Sequence, residues 1–199
     1  MGRTPISGWP LLYRLSKCGM KTESFYYFAA FENFDSIVSR LKKRIERLAI
    51  TGNYVVIGHS LGGVLLRAAL NELQQGTVQP THVFLLGSPI LASSLAITLK
   101  RNFMFRVLTG DCGQLLGSPE RMITIAPLIV PTTSIAGTCG VTSSYAYFGQ
   151  EVNDGFVSIS EVSASWITDQ VTVPVLHTLL PSSPVVSKII MEKLIRSVC

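Results

Sequence analysis

Gly58-His59-Ser60-Leu61-Gly62-Gly63 sets a serine between glycines two residues before and two after it. The apolar run Tyr54-Val55-Val56-Ile57 leads straight into it, and Leu61 to Gln75 continues at helical spacing. A tight turn from strand to helix holds a side chain out at the top of a sheet. Small flanking residues let strand and helix approach each other there. The helix start aims backbone N–H groups and a positive dipole end at the same place. The Leu61 N–H is therefore the expected donor to an oxyanion formed when Ser60 attacks a carbonyl. A phosphate cradle would need GxxxxGK[ST], which the sequence lacks.

A serine hydroxyl is a weak nucleophile until a base takes its proton. The sequence has three histidines. His59 lies inside the turn and is expected to point elsewhere. His82 begins an apolar strand pattern, which puts it at the end of the sheet away from Ser60. His177 comes after the last strand pattern and precedes the last helix pattern, so it alone reaches the carboxyl end of a strand. A third group must hold the imidazole tautomer and stabilise its charge. Between Ser60 and His177 the carboxylates are Glu72, Asp111, Glu120, Glu151, Asp154, Glu161 and Asp169. Asp154 is favoured, in Asn153-Asp154-Gly155, a turn placed after the strand pattern at 133–136. Asn-Asp-Gly is also a common plain turn. Asp111, in Gly110-Asp111-Cys112, is the main competitor. Asp169 falls at the wrong end of the last strand.

The elements that must position these groups alternate. Trp9, Leu12 and Leu15 share a helix face, ended by Gly19. Ser24-Phe25-Tyr26-Tyr27-Phe28 reads as a strand. Ile37, Val38, Leu41, Ile45 and Leu48 recur at helical spacing, with Asp35 as a cap. Further strands are read at 54–57, 82–86, 133–136 and 171–175, and Ser183-Pro184 opens a final helix. Alternating strands and helices predict a mostly parallel sheet with helices on both faces. Function then sits at the carboxyl ends of the strands. Residues 91–122 break the rhythm. Leu91, Leu95, Leu99 and Phe103 lie on one helical stripe, read either as a packed helix pair or as a cap-like, lid-like insertion over the site.

A chain of 199 residues is the size of one domain. Charged residues are only 15% and hydrophobic ones 47%, far from the composition of a disordered chain. The longest apolar runs are a few residues, too short to span a membrane. The net charge of +5 is concentrated in Arg40, Lys42, Lys43, Arg44 and Arg47, on the polar side of an amphipathic helix. We read that cluster as a solvated face and find no nucleic-acid-binding motif. The four cysteines have no metal spacing, so neither metal nor cofactor is expected. No apolar stretch comes after Met1, so a secretory signal is not read; a cytoplasmic chain with reduced thiols is expected.

The sequence resembles α/β-hydrolases of the bacterial lipase and esterase type. The matching pieces are Gly58-His59-Ser60-Leu61-Gly62-Gly63, Leu86-Gly87-Ser88-Pro89, Asn153-Asp154-Gly155-Phe156-Val157 and His177. The order Ser60, Asp154, His177 is that of the family. The resemblance implies a minimal α/β-hydrolase fold and a serine hydrolase that cleaves carboxylic esters through an acyl-enzyme. Small acyl esters or lipids are the implied substrates, with interfacial lipid contact. The family's strand ending in His-Gly, before the first helix, has no counterpart. Met1-Gly2-Arg3-Thr4-Pro5-Ile6-Ser7-Gly8-Trp9-Pro10 resembles the segment immediately after such a His-Gly. That leaves Met1 as the stand-in for a second oxyanion donor, and an unpaired sheet edge that invites a homodimer. Two other readings keep the same residues: a thioesterase, amidase or lipid deacylase, and a catalytically impaired binding protein.

Overall fold

The computed structural model describes residues 8–196. Four strands form one parallel sheet in the order β1 (Val55–His59), β2 (His82–Leu86), β3 (Thr132–Gly137) and β4 (Asp169–Val173). Alternation along the strands divides the core into two layers. Val56, Val83 and Leu85 face α2 (Phe34–Ala49) and α3 (Leu61–Asn71). Phe84, Leu86, Ile135 and Val173 face α1 (Trp9–Lys17) and α7 (Pro184–Arg196). The central strands are buried on both faces, as parallel strands covered by helices must be. β4, at one edge, buries only Val173 and exposes Gln170 and Thr172.

The helices form where their apolar stripes and caps allow. α2 buries Ile37, Val38, Leu41 and Ile45, and Asn33, rather than Asp35, caps it by accepting from the Ser36 amide at 2.8 Å. Its basic residues face solvent, where Arg40 pairs with Glu32 and Arg44 with Glu23. α1 buries Leu11 and Leu15, whereas Trp9 is exposed and stacks on Tyr13. α3 ends at Asn71, short of the expected stop at Gln75.

One expectation differs from the structure. Ser24–Phe28 alternates as a strand should, with Phe25 and Tyr27 packed on the core and Tyr26 and Phe28 exposed. It pairs with no strand among the described residues, and without a ladder it is extended chain only. The stripe from Leu91 to Phe103 spans two helices in contact, in keeping with the helix-pair reading. It is divided into α4 (Ser94–Leu99) and α5 (Phe103–Leu116), because Asn102 turns extended and caps the second by accepting from the Phe105 amide. A short α6 (Pro119–Ile123) completes the connection from β2 to β3. Within α5, Gly110 has φ +52°, which breaks the helical path. A side chain there would meet the carbonyl oxygen of Ala29.

Arg67 of α3 is buried to 2% exposure. Its guanidinium donates to the carbonyls of Ile90 and Ile125 and lies 5.3 Å from the Trp166 ring. Burial pushes its pKa down to about 10. It ties the helix behind Ser60 to the two loops that leave β2 and precede β3. Cys18, Cys112 and Cys139 are free thiols, and burial pushes Cys112 up to about 11.

Arg67→Ala is expected to lower the unfolding free energy by about 3 kcal/mol in urea titration, since it leaves a cavity and two bare carbonyls. In native protein near neutral pH, iodoacetamide is expected to modify the exposed Cys18 and Cys139 and to reach Cys112 only after unfolding.

Candidate active site

Ser60 is the one non-glycine residue with positive φ among those described, at φ 54°, ψ −129°. Such backbone costs of the order of 1–3 kcal/mol and persists only where its surroundings enforce it. Here they do. The Ser60 amide donates to Leu86 O at 2.9 Å, and its carbonyl accepts from the Gly63 amide at 3.0 Å. β1 and α3 then cross so closely that a Cβ on Gly58 would lie 2.5 Å from the Gly63 Cα. A Cβ on Gly63 would overlap the Ser88 hydroxyl, which itself donates to Gly58 O at 3.3 Å. Gly58 and Gly63 are thus required by contact, whereas Gly62, expected to share that role, meets only Tyr27 Oη at an ordinary 3.8 Å, and the serine is left at the end of the strand with Leu61 as the first residue of α3.

The three sequence-predicted groups converge. Ser60 Oγ lies 2.9 Å from His177 Nε2, and His177 Nδ1 lies 2.7 Å from Asp154 Oδ2. A carboxylate only accepts, so Nδ1 carries the ring proton and Nε2 faces the serine hydroxyl as acceptor. Asp154 and His177 are 1% and 3% exposed. The second carboxylate oxygen of Asp154 accepts from the amides of Phe156 and Val157, both at 2.9 Å. Asp154 O accepts from the His177 amide at 3.0 Å, joining the two loops through main chain as well. Asn153 shapes the turn below. Its side-chain oxygen accepts from the Gly155 amide, and its amide donates to Val141 O and Glu151 O.

The competing carboxylates are committed elsewhere. Asp111 forms a two-pronged pair with Arg121 at 2.7 and 3.2 Å and accepts from the Phe34 amide. That pairing holds its carboxyl below the usual carboxylate range. Asp169 pairs with Lys193. His82 contacts Thr133 Oγ1 at the far end of the sheet. Met1 lies outside the described residues.

Two contributors lie inside the matched pieces but have roles that the sequence does not give, and one expectation is corrected. Gly87 has φ +52°, and a Cβ there would come within 2.9 Å of both Asp154 Oδ2 and His177 Nδ1. Phe156 stacks on the His177 ring with centroids 5.0 Å apart. His59 does not point away from the site. Its ring lies 4.8 Å from that of His177, and its Nε2 donates to His177 O at 3.0 Å. The turn geometry swings the residue before Ser60 toward the His177 loop, which spacing alone does not reveal.

Beside Ser60 opens a groove of about 1030 Å³. It runs along the outer edge of β1 between α1 and α2, with Leu11, Leu15, Leu41, Ile45 and Tyr27 on its walls. Phe105 and Thr109 of α5 border it from above. No cluster of three or more metal-ligating side chains occurs among the described residues. The assembled groups can activate a hydroxyl, pass its proton to a leaving group, and do so beside an apolar cleft.

Neither a protein-family model nor a curated protein matches the sequence. Solved structures do match. The mature form of the lipase BlEst2 from Bacillus licheniformis superposes with TM-score 0.62 at 18% identity, over 82% of this chain and 75% of that one. RedJ, a thioesterase of the prodiginine pathway in Streptomyces coelicolor, gives 0.52 at 18% identity, over 81% and 69%. The phospholipase PlaB from Legionella pneumophila gives 0.63 at 15% identity, over 81% of this chain but 43% of its own length. The fold is that of the α/β-hydrolases.

The sheltered Nδ1 proton of His177 is expected to give a slowly exchanging low-field proton NMR signal, absent from Asp154→Ala. Gly87→Ala is expected to shift that signal and to lower stability by about 1–2 kcal/mol, the cost of a left-handed non-glycine residue.

Proposed function

We propose that the protein is a serine hydrolase cleaving carboxylic esters that have an apolar acyl part, with an acyl-enzyme intermediate. One observation carries the reading: a strained, outward-held serine within hydrogen-bond reach of a histidine whose other nitrogen is held by a buried, doubly amide-bonded carboxylate. Ser60 Oγ attacks the ester carbonyl carbon while His177 Nε2 takes the hydroxyl proton. Asp154 stabilises the resulting imidazolium and keeps its orientation. The carbonyl electrons move onto oxygen, where the Leu61 N–H and the α3 dipole meet the charge. One such donor contributes about 3 kcal/mol. Collapse expels the alkoxide, protonated from Nε2, and leaves the acyl group on Ser60. Water, deprotonated by His177, repeats the sequence and releases the acid.

The acyl preference rests on the groove. Its apolar walls meet Ser60 directly, and a cleft of this kind suits a hydrocarbon chain better than a polar one. Esters and lipids are also the substrates that the names of the lipase and phospholipase neighbours suggest. A second reading, hydrolysis of a thioester by the same residues, is favoured by the thioesterase neighbour.

A fluorophosphonate probe is expected to label Ser60, as read by peptide mass spectrometry. His177→Ala is expected to slow labelling by roughly 10⁴-fold or more, and Asp154→Asn to lower kcat by about 10⁴-fold. Folded protein that is never labelled would overturn the hydrolase reading. Matched esters and thioesters of one acyl chain then separate the two substrate classes by kcat/KM.

A further inference from the structure

The first half of α5 is amphipathic in the wrong sense for a soluble surface. Thr109 turns inward with Phe105, above the groove. Phe103, Met104, Val107 and Leu108 point outward and are 75%, 61%, 51% and 55% exposed. At 100° per residue these four fall on one face, opposite Phe105 and Thr109. Contiguous apolar side chains of this kind on a surface mark a docking site.

The charges alongside indicate the docking partner. Directly beside this face is a cavity of about 580 Å³ lined by Lys100, Arg101, Arg106, Gln114 and Arg121. Asp111 and Glu120 are the carboxylates nearby, and both are engaged, Asp111 by Arg121 and Glu120 by the Ser118 hydroxyl. Lys100 donates to Gly117 O. Among the described residues, Arg101 and Arg106 pair with no carboxylate, so two guanidinium groups face an open cavity at the rim of the apolar stripe. A stripe that needs hydrocarbon, bordered by cations that need anions, matches the cross-section of an anionic bilayer. No helix among the described residues is long and apolar enough to cross a membrane, so the contact is with the surface.

We propose that the outward face of α5 is a membrane-docking surface: Phe103, Met104, Val107 and Leu108 enter the acyl boundary while Arg101 and Arg106, with Lys100, hold phosphate headgroups. This docking is a binding property and does not depend on turnover at Ser60.

Sedimentation with vesicles tests it. The protein is expected to partition onto phosphatidylcholine vesicles containing one-third phosphatidylglycerol, and much less onto phosphatidylcholine alone. Each basic residue near the surface accounts for about a fivefold change, so Arg101→Gln with Arg106→Gln should weaken anionic binding about 25-fold. Phe103→Ser with Val107→Ser should weaken binding to both vesicle types. All four positions are solvent-exposed, so the melting temperature and the turnover of a short soluble ester should match wild type. Binding that neither pair of substitutions changes would overturn the proposal. So would release by millimolar inorganic phosphate, which would identify a free-anion site. Loss of a dimer in Phe103→Ser/Val107→Ser without any vesicle binding would assign the face to a second copy of the chain and overturn it equally.

Discussion

The structure depends on the close crossing of β1 and α3. For Ser60 to stand at φ 54° the strand and helix must approach until no side chain fits between Gly58 and Gly63. The backbone cost is offset by its surroundings: the Ser60 amide bonded to β2, the Ser88 hydroxyl on Gly58 O, and α3 locked in the core through Val64, Leu65 and Arg67. Strand, helix and the neighbouring strand therefore share in holding one hydroxyl. The same packing puts the start of α3 beside that hydroxyl, so the nucleophile and its electrostatic partner come from one turn.

The second half of the site solves a different problem, that of keeping a carboxylate charged in a nearly water-free place. Asp154 is accommodated because each oxygen has donors, two amides on one side and the imidazole on the other. Charge-assisted bonds of this kind are about twice as strong as neutral ones and fix direction as well as energy. Gly87 leaves the space this pair occupies, and Phe156 and His59 fix the ring and the carbonyl of His177. The loops carrying Asp154 and His177 are also joined by a main-chain bond.

Around this centre the fold is asymmetric. Beyond β4 the sheet ends against solvent with an alternating edge, while at β1 the edge borders the groove that leads from Ser60. The helices inserted between β2 and β3 roof that groove. Their second half is pinned, because Asp111 joins Arg121 to the start of α2. Their first half is separated from it by the break at Gly110. Outside the core, apolar side chains line the groove and form the face of α5 above it.

The features legible in the sequence were those that depend on neighbours along the chain. The Gly-x-Ser-x-Gly turn ends its strand and opens its helix, so its geometry is local. The parallel sheet is implied by strands alternating with helices. His177 was found by its place after a strand, and Asp154 by its turn. The distances that join Ser60, His177 and Asp154 connect residues far apart in sequence and exist only after the strands align. Local pattern also misled where pairing decides: Ser24–Phe28 alternates like a strand yet finds no partner among the described residues. The stripe at 91–103 was open to a helix pair, but the point of division, where Asn102 caps the second helix, is seen only in the structure. Spacing along the chain says nothing of how a strained turn aims the residue before it, so it does not reveal that His59 faces the His177 loop. Gly87 and Phe156 lie inside matched pieces, but nothing along the chain gives their contacts with His177 and Asp154, and the outward apolar face of α5 carries no motif. They are defined by what other segments bring against them, or fail to bring, and only the tertiary structure contains that information.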